Sequence, residues 1–80
     1  MVISAQISIY SLRQQRLTPA IEGLWDALKR AGLHPELGPM STTVVGEDEA
    51  VFGALREAFN GAAGTGHVVM AVTFSNACPV

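Results

Sequence analysis

Residues 3–10 read Ile-Ser-Ala-Gln-Ile-Ser-Ile-Tyr, apolar and polar in alternation. Side chains on an extended strand point to opposite faces in turn. Ile3, Ala5, Ile7 and Ile9 therefore share one face, and Ser4, Gln6, Ser8 and Tyr10 the other. The first face suits a core. The second offers hydroxyls, an amide and an aromatic ring, and a small chain without an obvious catalytic motif has that face to work with.

The pattern continues along the chain. After a strand over about Val2–Tyr10, the polar stretch from Ser11 to Leu17 reads as a loop. Thr18-Pro19 marks a helix start, with Thr as N-cap and Pro at the first helical position. Ile21, Leu24, Trp25 and Leu28 follow at i, i+3, i+4 and i+7, one apolar stripe. Lys29 and Arg30 in the last turn suit the helix dipole, and Gly32 suits the position just past the helix. Leu33–Leu37 reads as a short strand, placed at an edge because Pro35 lacks a ladder donor. Gly38-Pro39 makes a turn. Ser41–Val45 is rich in β-branched residues and reads as a third strand ended by Gly46. Both of its faces mix polar and apolar groups, so its register stays open. Glu47, Asp48 and Glu49 stand at the mouth of a second helix, where Phe52, Leu55 and Phe59 share a face flanked by Val51, Ala58 and Ala62. A loop over Gly61–Gly66 follows. The last strand, His67–Ser75, sets Val68, Met70, Val72 and Phe74 against His67, Val69, Ala71, Thr73 and Ser75.

The element order β-α-β-β-α-β predicts an α+β fold: a ferredoxin-like sandwich with a four-stranded antiparallel sheet and two helices on one face. In its usual strand order the first and third strands are central, and the fourth pairs with the first. Trp25, Leu28, Phe52 and Phe59 are then expected to meet the apolar faces of those strands. Residues 1–80 are read as one domain.

Composition narrows the function. Apolar residues make up 49% of the chain, enough for a core and for buried surface between subunits, so a homodimer or higher homo-oligomer is expected. Five basic residues against seven acidic ones form no cluster that would neutralise phosphates, which argues against nucleic acid and anionic membrane as partners. The longest apolar run, Val68–Val72, is too short to cross a bilayer. Cys78 is the one cysteine and suits a reducing cytoplasm.

Chemistry concentrates on the second sheet face: Gln6, Ser8, Tyr10, Thr73 and Ser75, with part of Ser41–Thr43. Small hydroxyls leave room for a flat ligand, Tyr10 can stack on a ring, and Gln6 can pair with an amino-heterocycle. The plain alternative is a face that is solvated or covered by another subunit. Asn76 is a turn residue or a ligand contact. Cys78 has no neighbouring base or second cysteine, so it reads as structural. His34 and His67 read as exposed or capping. Glu47-Asp48-Glu49 is explained by a helix N-terminus without a metal, and Gly64-Thr65-Gly66 is too short for a phosphate loop. Other users of this fold are excluded by what is missing. There is no Cys-x-x-Cys after the first strand, no paired aromatics on the central strands, and no arginine in a glycine-rich loop there.

Several segments together resemble a known family. Ile7-Ser8-Ile9-Tyr10, Met40-Ser41-Thr42-Thr43-Val44-Val45-Gly46, His67-Val68-Val69-Met70 and Thr73-Phe74-Ser75 leading to Cys78-Pro79 look like the YkoF-related thiamine/hydroxymethylpyrimidine-binding family. The Gly38-Pro39-Met40 lead-in looks like the broader thiamine-binding protein group. The resemblance implies a domain that binds thiamine or its hydroxymethylpyrimidine precursor in salvage or transport, with no cofactor and no reaction. It carries over Ser8, Tyr10, Ser41, Thr42, Thr43, Thr73, Ser75 and Asn76 as ligand candidates. YkoF-like chains usually hold two such repeats, and this chain holds one, so a homodimer would supply the second copy. Ser11 stands where the family commonly has proline. The rival reading is an oligomeric assembly or regulatory module whose helix-free face is only an interface. A third, weaker one is a small enzyme using His67 or Cys78.

Overall fold

The computed structural model describes residues 1–12, 18–38, 41–64 and 66–77, excepting the side chains of Ser11 and Thr18. The expected loop at 13–17, Pro39, Met40, Thr65 and Cys78 lie outside the described residues. Six elements follow the expected order: β1 (Val2–Ser11), α1 (Thr18–Arg30), β2 (Glu36–Leu37), β3 (Thr42–Glu47), α2 (Asp48–Ala63) and β4 (Val68–Ser75). The strands form one antiparallel sheet in the order β2-β3-β1-β4, the ferredoxin-like arrangement.

The alternation in β1 is realised as read. Ile3, Ala5, Ile7 and Ile9 are buried beneath the helices, with Val44 of β3 beside them. Gln6 and Tyr10 are exposed on the opposite, helix-free face, and Ser8 there is half-buried. Pairing settles the register of β3. Thr42 lies opposite Ile7, Val44 opposite Ala5 and Gly46 opposite Ile3. Directly opposed residues share a face, so these three look towards the helices, while Thr43, Val45 and Glu47 look away.

Helix α1 buries Leu24, Ala27 and Leu28, with Ile21 and Trp25 half-buried along its flank. Its end is closed by geometry only glycine adopts easily. Gly32 has φ 80°; its N–H donates to Lys29 O at 3.0 Å, and the Leu33 N–H donates to Leu28 O at 3.0 Å. This is a Schellman cap, and it turns Leu33 back into the core beside Leu28.

Four sequence readings need correction. First, Phe52 and Phe59 do not face the core. They are 51% and 40% exposed, whereas Val51, Ala54, Leu55 and Ala58 are buried. Those four recur at i, i+3, i+4 and i+7, and their modest size lets α2 lie close to the sheet and α1. The bulkier phenylalanines sit at the flank, where Phe52 meets Phe74 of the edge strand β4 with ring centroids 4.6 Å apart. Second, β3 runs through Gly46 to Glu47 instead of stopping. A Cβ on Gly46 would overlap Leu33 Cδ2, so glycine is there to admit that side chain. Third, α2 continues through Gly61 to Ala63, and only Gly64 onward belongs to the connection. Fourth, β2 is two residues long, Glu36–Leu37, since Pro35 keeps the preceding backbone out of the ladder.

The reassigned face of α2 is testable by urea unfolding. Leu55→Ala is expected to cost about 2–5 kcal/mol, the range for emptying a buried leucine site. Phe52→Ala is expected to cost less than Leu55→Ala, because half of the ring already meets water. The reverse order would restore phenylalanine as the core face.

Candidate functional site

The two central strands are unequal at one end. Pairing between β1 and β3 stops at Ile7 and Thr42, yet β1 goes on to Ser11, paired with β4 alone. Beyond Thr42 the place of a strand neighbour is taken by Leu37, Gly38 and Ser41 on one side and by Ile21 and Leu24 of α1 on another. These do not fill the space. A hollow of about 240 Å³ remains, lined also by Ile7, Ser8, Ile9, Tyr10 and Thr42. Its walls are aliphatic, and four hydroxyl-bearing side chains interrupt them.

Those four, Ser8, Tyr10, Ser41 and Thr42, all come from the sequence-derived candidates. Thr42 is buried on the helix side of the sheet, and its Oγ1 accepts a hydrogen bond from Trp25 Nε1 at 3.1 Å. Ser41 is half-buried at the start of β3; its Oγ accepts from Gln6 Nε2 at 3.1 Å, and its carbonyl accepts from the Gly38 N–H at 2.8 Å. Gln6 thus does not line the hollow but holds a residue that does. Tyr10 stands exposed at the rim. A hydroxyl both donates and accepts, so this set can meet a ring carrying an amino group and ring nitrogens. Among the described residues the lining contains no carboxylate, imidazole, thiol or amine.

The other candidates lie elsewhere. Thr43 and Thr73 flank Gln6 from β3 and β4, forming one row across the helix-free face. Ser75 lies opposite Ser4, six residues from Tyr10, or about 20 Å along the strand. Ser75 and Asn76 line a different, open hollow with Met1, Ile3, Phe52 and Phe74. The Ser75 Oγ accepts from the Ala77 N–H at 3.1 Å and so shapes its own turn. At the start of α2, the Met1 ammonium donates to Glu47 Oε2 at 2.9 Å and to Asp48 Oδ1 at 3.4 Å. Hydrogen bonding to Glu47, then to Asp48, raises the ammonium's pKa above its ordinary value. Among the described residues no three His, Cys, Asp or Glu side chains are grouped to hold a metal ion. His34 and His67 are exposed.

Sequence reasoning missed the apolar wall. Ile21 and Leu24 read as ordinary core residues of a helical stripe, and Leu37 as an edge position. No periodicity says that β3 begins four residues short of the end that β1 and β4 share.

A family model, the YkoF-related family, matches residues 2–80. The chain belongs to the YkoF-related family. Among solved structures, a hypothetical protein of Methanocaldococcus jannascii superposes with TM-score 0.85 at 18% identity, covering 99% of this chain and 84% of that one. A Thermotoga maritima protein, described as a candidate thiamine biosynthesis/salvage protein, superposes with TM-score 0.79 at 21% identity, covering 94% of this chain and 83% of that one. A Streptococcus pneumoniae protein superposes with TM-score 0.82 at 21% identity, covering 94% and 86%. At these identities the likeness establishes the fold. No curated protein matches the chain. Among the described residues of this YkoF-related chain, no helix is long and apolar enough to cross a membrane.

Trp25 is the only tryptophan and reports on this wall. Thr42→Val keeps the side-chain shape and removes the acceptor of Trp25 Nε1. It is expected to cost about 1 kcal/mol in urea unfolding and to change the emission wavelength of Trp25. An unchanged spectrum would mean that the bond does not position the ring.

Proposed function

We infer that this YkoF-related chain binds thiamine or its hydroxymethylpyrimidine precursor, without catalysing a reaction, in salvage or transport. The observation that carries this reading is the hollow beside β1, aliphatic in its walls and dotted with the hydroxyls of Ser8, Tyr10, Ser41 and Thr42. Its volume of about 240 Å³ lies below the usual range for drug-sized ligands and has room for one substituted six-membered ring. The pyrimidine amino group and ring nitrogens would exchange hydrogen bonds with the hydroxyls, and Tyr10 would cover the ring at the rim. Gln6 would act through Ser41. The description of the Thermotoga neighbour supports the same ligand class. The setting we propose is cytoplasmic, with residues 1–80 as one domain.

The unit that binds is proposed to be a homo-oligomer. The helix-free face exposes Val2, Tyr10, Val45 and Val69, and its outward positions carry two charges among the described residues, Glu47 of β3 and Glu36 of the edge strand β2. A face so poor in charge suits sheet-on-sheet packing against a second copy. Ser75 and Asn76 would then reach ligand only across that seam, since Ser75 is too far from Tyr10 to share a ring-sized ligand within one chain, and Thr43 and Thr73, in the row through Gln6, would face the same seam. The rival, a module whose seam is its whole purpose, rests on the same face.

Calorimetric titration with thiamine and with hydroxymethylpyrimidine decides between them, run beside sedimentation of the free protein. Heat with at least one ligand is expected, and Ser8→Arg is expected to abolish it by filling the hollow. No heat with either ligand at millimolar concentration, together with an oligomer that Ser8→Arg disperses, would leave the assembly module as the function.

A further inference from the structure

A second groove adjoins the hollow. It has a volume of about 330 Å³ and is lined by Trp25, Glu22, Asp26 and Lys29, with Ile21 and Leu37 shared between the two spaces. Resting on the function proposed above, we propose that this groove seats a planar organic cation, so that the site discriminates charged thiamine from its neutral pyrimidine fragment. Thiamine is an aminopyrimidine joined through one methylene to a positively charged thiazolium. A molecule with its pyrimidine in the hollow would cross the shared Ile21–Leu37 wall and lay its cationic ring against Trp25.

Three observations carry this. The Trp25 ring already holds a cation, with Lys29 Nζ 5.4 Å from its centroid. That is the attraction a thiazolium would use, and tryptophan is the strongest aromatic partner for it. The ring is held in place before ligand arrives, since its Nε1 donates to Thr42 Oγ1 in the wall of the hollow. The charge of the groove also has the right sign among the described residues: the carboxylates of Glu22 and Asp26 outnumber the ammonium of Lys29. On the other side Leu37, 70% exposed, has apolar surface that a bound ring would cover. Lys29 is then a resident competitor. The ligand displaces its ammonium from the ring, and the side chain is long enough to swing into solvent.

The experiment follows Trp25 emission and heat during titration of the full chain with thiamine, with hydroxymethylpyrimidine and with N-methylthiazolium. Thiamine is expected to bind roughly two- to thirty-fold tighter than hydroxymethylpyrimidine, the span of an aromatic–cation contact from exposed to desolvated. It should also quench Trp25. Glu22→Gln with Asp26→Asn should shrink that margin, and Lys29→Met should widen it. Neither change touches the core, so both variants should fold. Equal affinity for the two ligands, or Trp25 emission that thiamine leaves unchanged while hydroxymethylpyrimidine still binds, overturns the groove and leaves the hollow standing. If neither ligand gives heat, the function proposed above fails. N-methylthiazolium then decides the groove alone, quenching of Trp25 supporting it and no quenching overturning it.

Discussion

The structure depends on β1 being bonded on both sides while only one side is paired to its end. As a central strand it joins β3 to β4, and its alternating residues divide between a face buried under the helices and a helix-free face on which Ser4 is buried, Ser8 half-buried, and Gln6 and Tyr10 exposed. Ile3, Ala5, Ile7 and Ile9 supply most of the sheet's buried core residues, with Val44 of β3 beside them. A one-residue slip in pairing would send all four to solvent and bring Ser4, Gln6 and Ser8 under the helices, so the burial itself locks the register. With β1 locked, the early end of β3 leaves a gap beside β1 among the described residues. The candidate site is that gap.

What closes around the gap comes from three elements distant in sequence. The approach to β3 brings Gly38 and Ser41, β2 brings Leu37, and α1 brings Ile21 and Leu24. Two side-chain hydrogen bonds tie these parts together. Gln6 holds Ser41 from the open face of the sheet, and Trp25 holds Thr42 from the helix side. Both use a hydroxyl as acceptor. Hydroxyls of this kind keep a donor for a further partner, so the same groups can brace the wall and meet a ligand. Among the described residues the hollow is lined by neutral side chains and the groove beside it by charged ones.

Much of this was legible from the chain. The period-two pattern of β1, the 3.6-period stripe of α1 and Gly32 as its terminator each rest on local rules that the structure obeys. The face of α2 was not legible, because pattern reading weights large apolar side chains. Close packing of two helices on a small sheet instead favoured Val51, Ala54, Leu55 and Ala58 over Phe52 and Phe59. Gly46 misled for a related reason. Glycine signals a strand end by propensity, but here it sits within β3 because Leu33, folded back by the cap of α1, occupies the space of a side chain.

The sequence alone therefore determined the order of elements, the two faces of β1 and the residue types available for recognition, since each follows from spacing along one segment. It also carried the family resemblance, which needs only motifs in order. Tertiary structure decided which hydroxyls meet. Ser8, Tyr10, Ser41 and Thr42 converge, while Thr73, Ser75 and Asn76 are carried away along the strand. It also made Trp25, to all appearance a core residue of a helical stripe, the boundary between a neutral hollow and a charged groove. That outcome depends on where β3 stops relative to β1, and a strand's end is set by its partners rather than by its own residues.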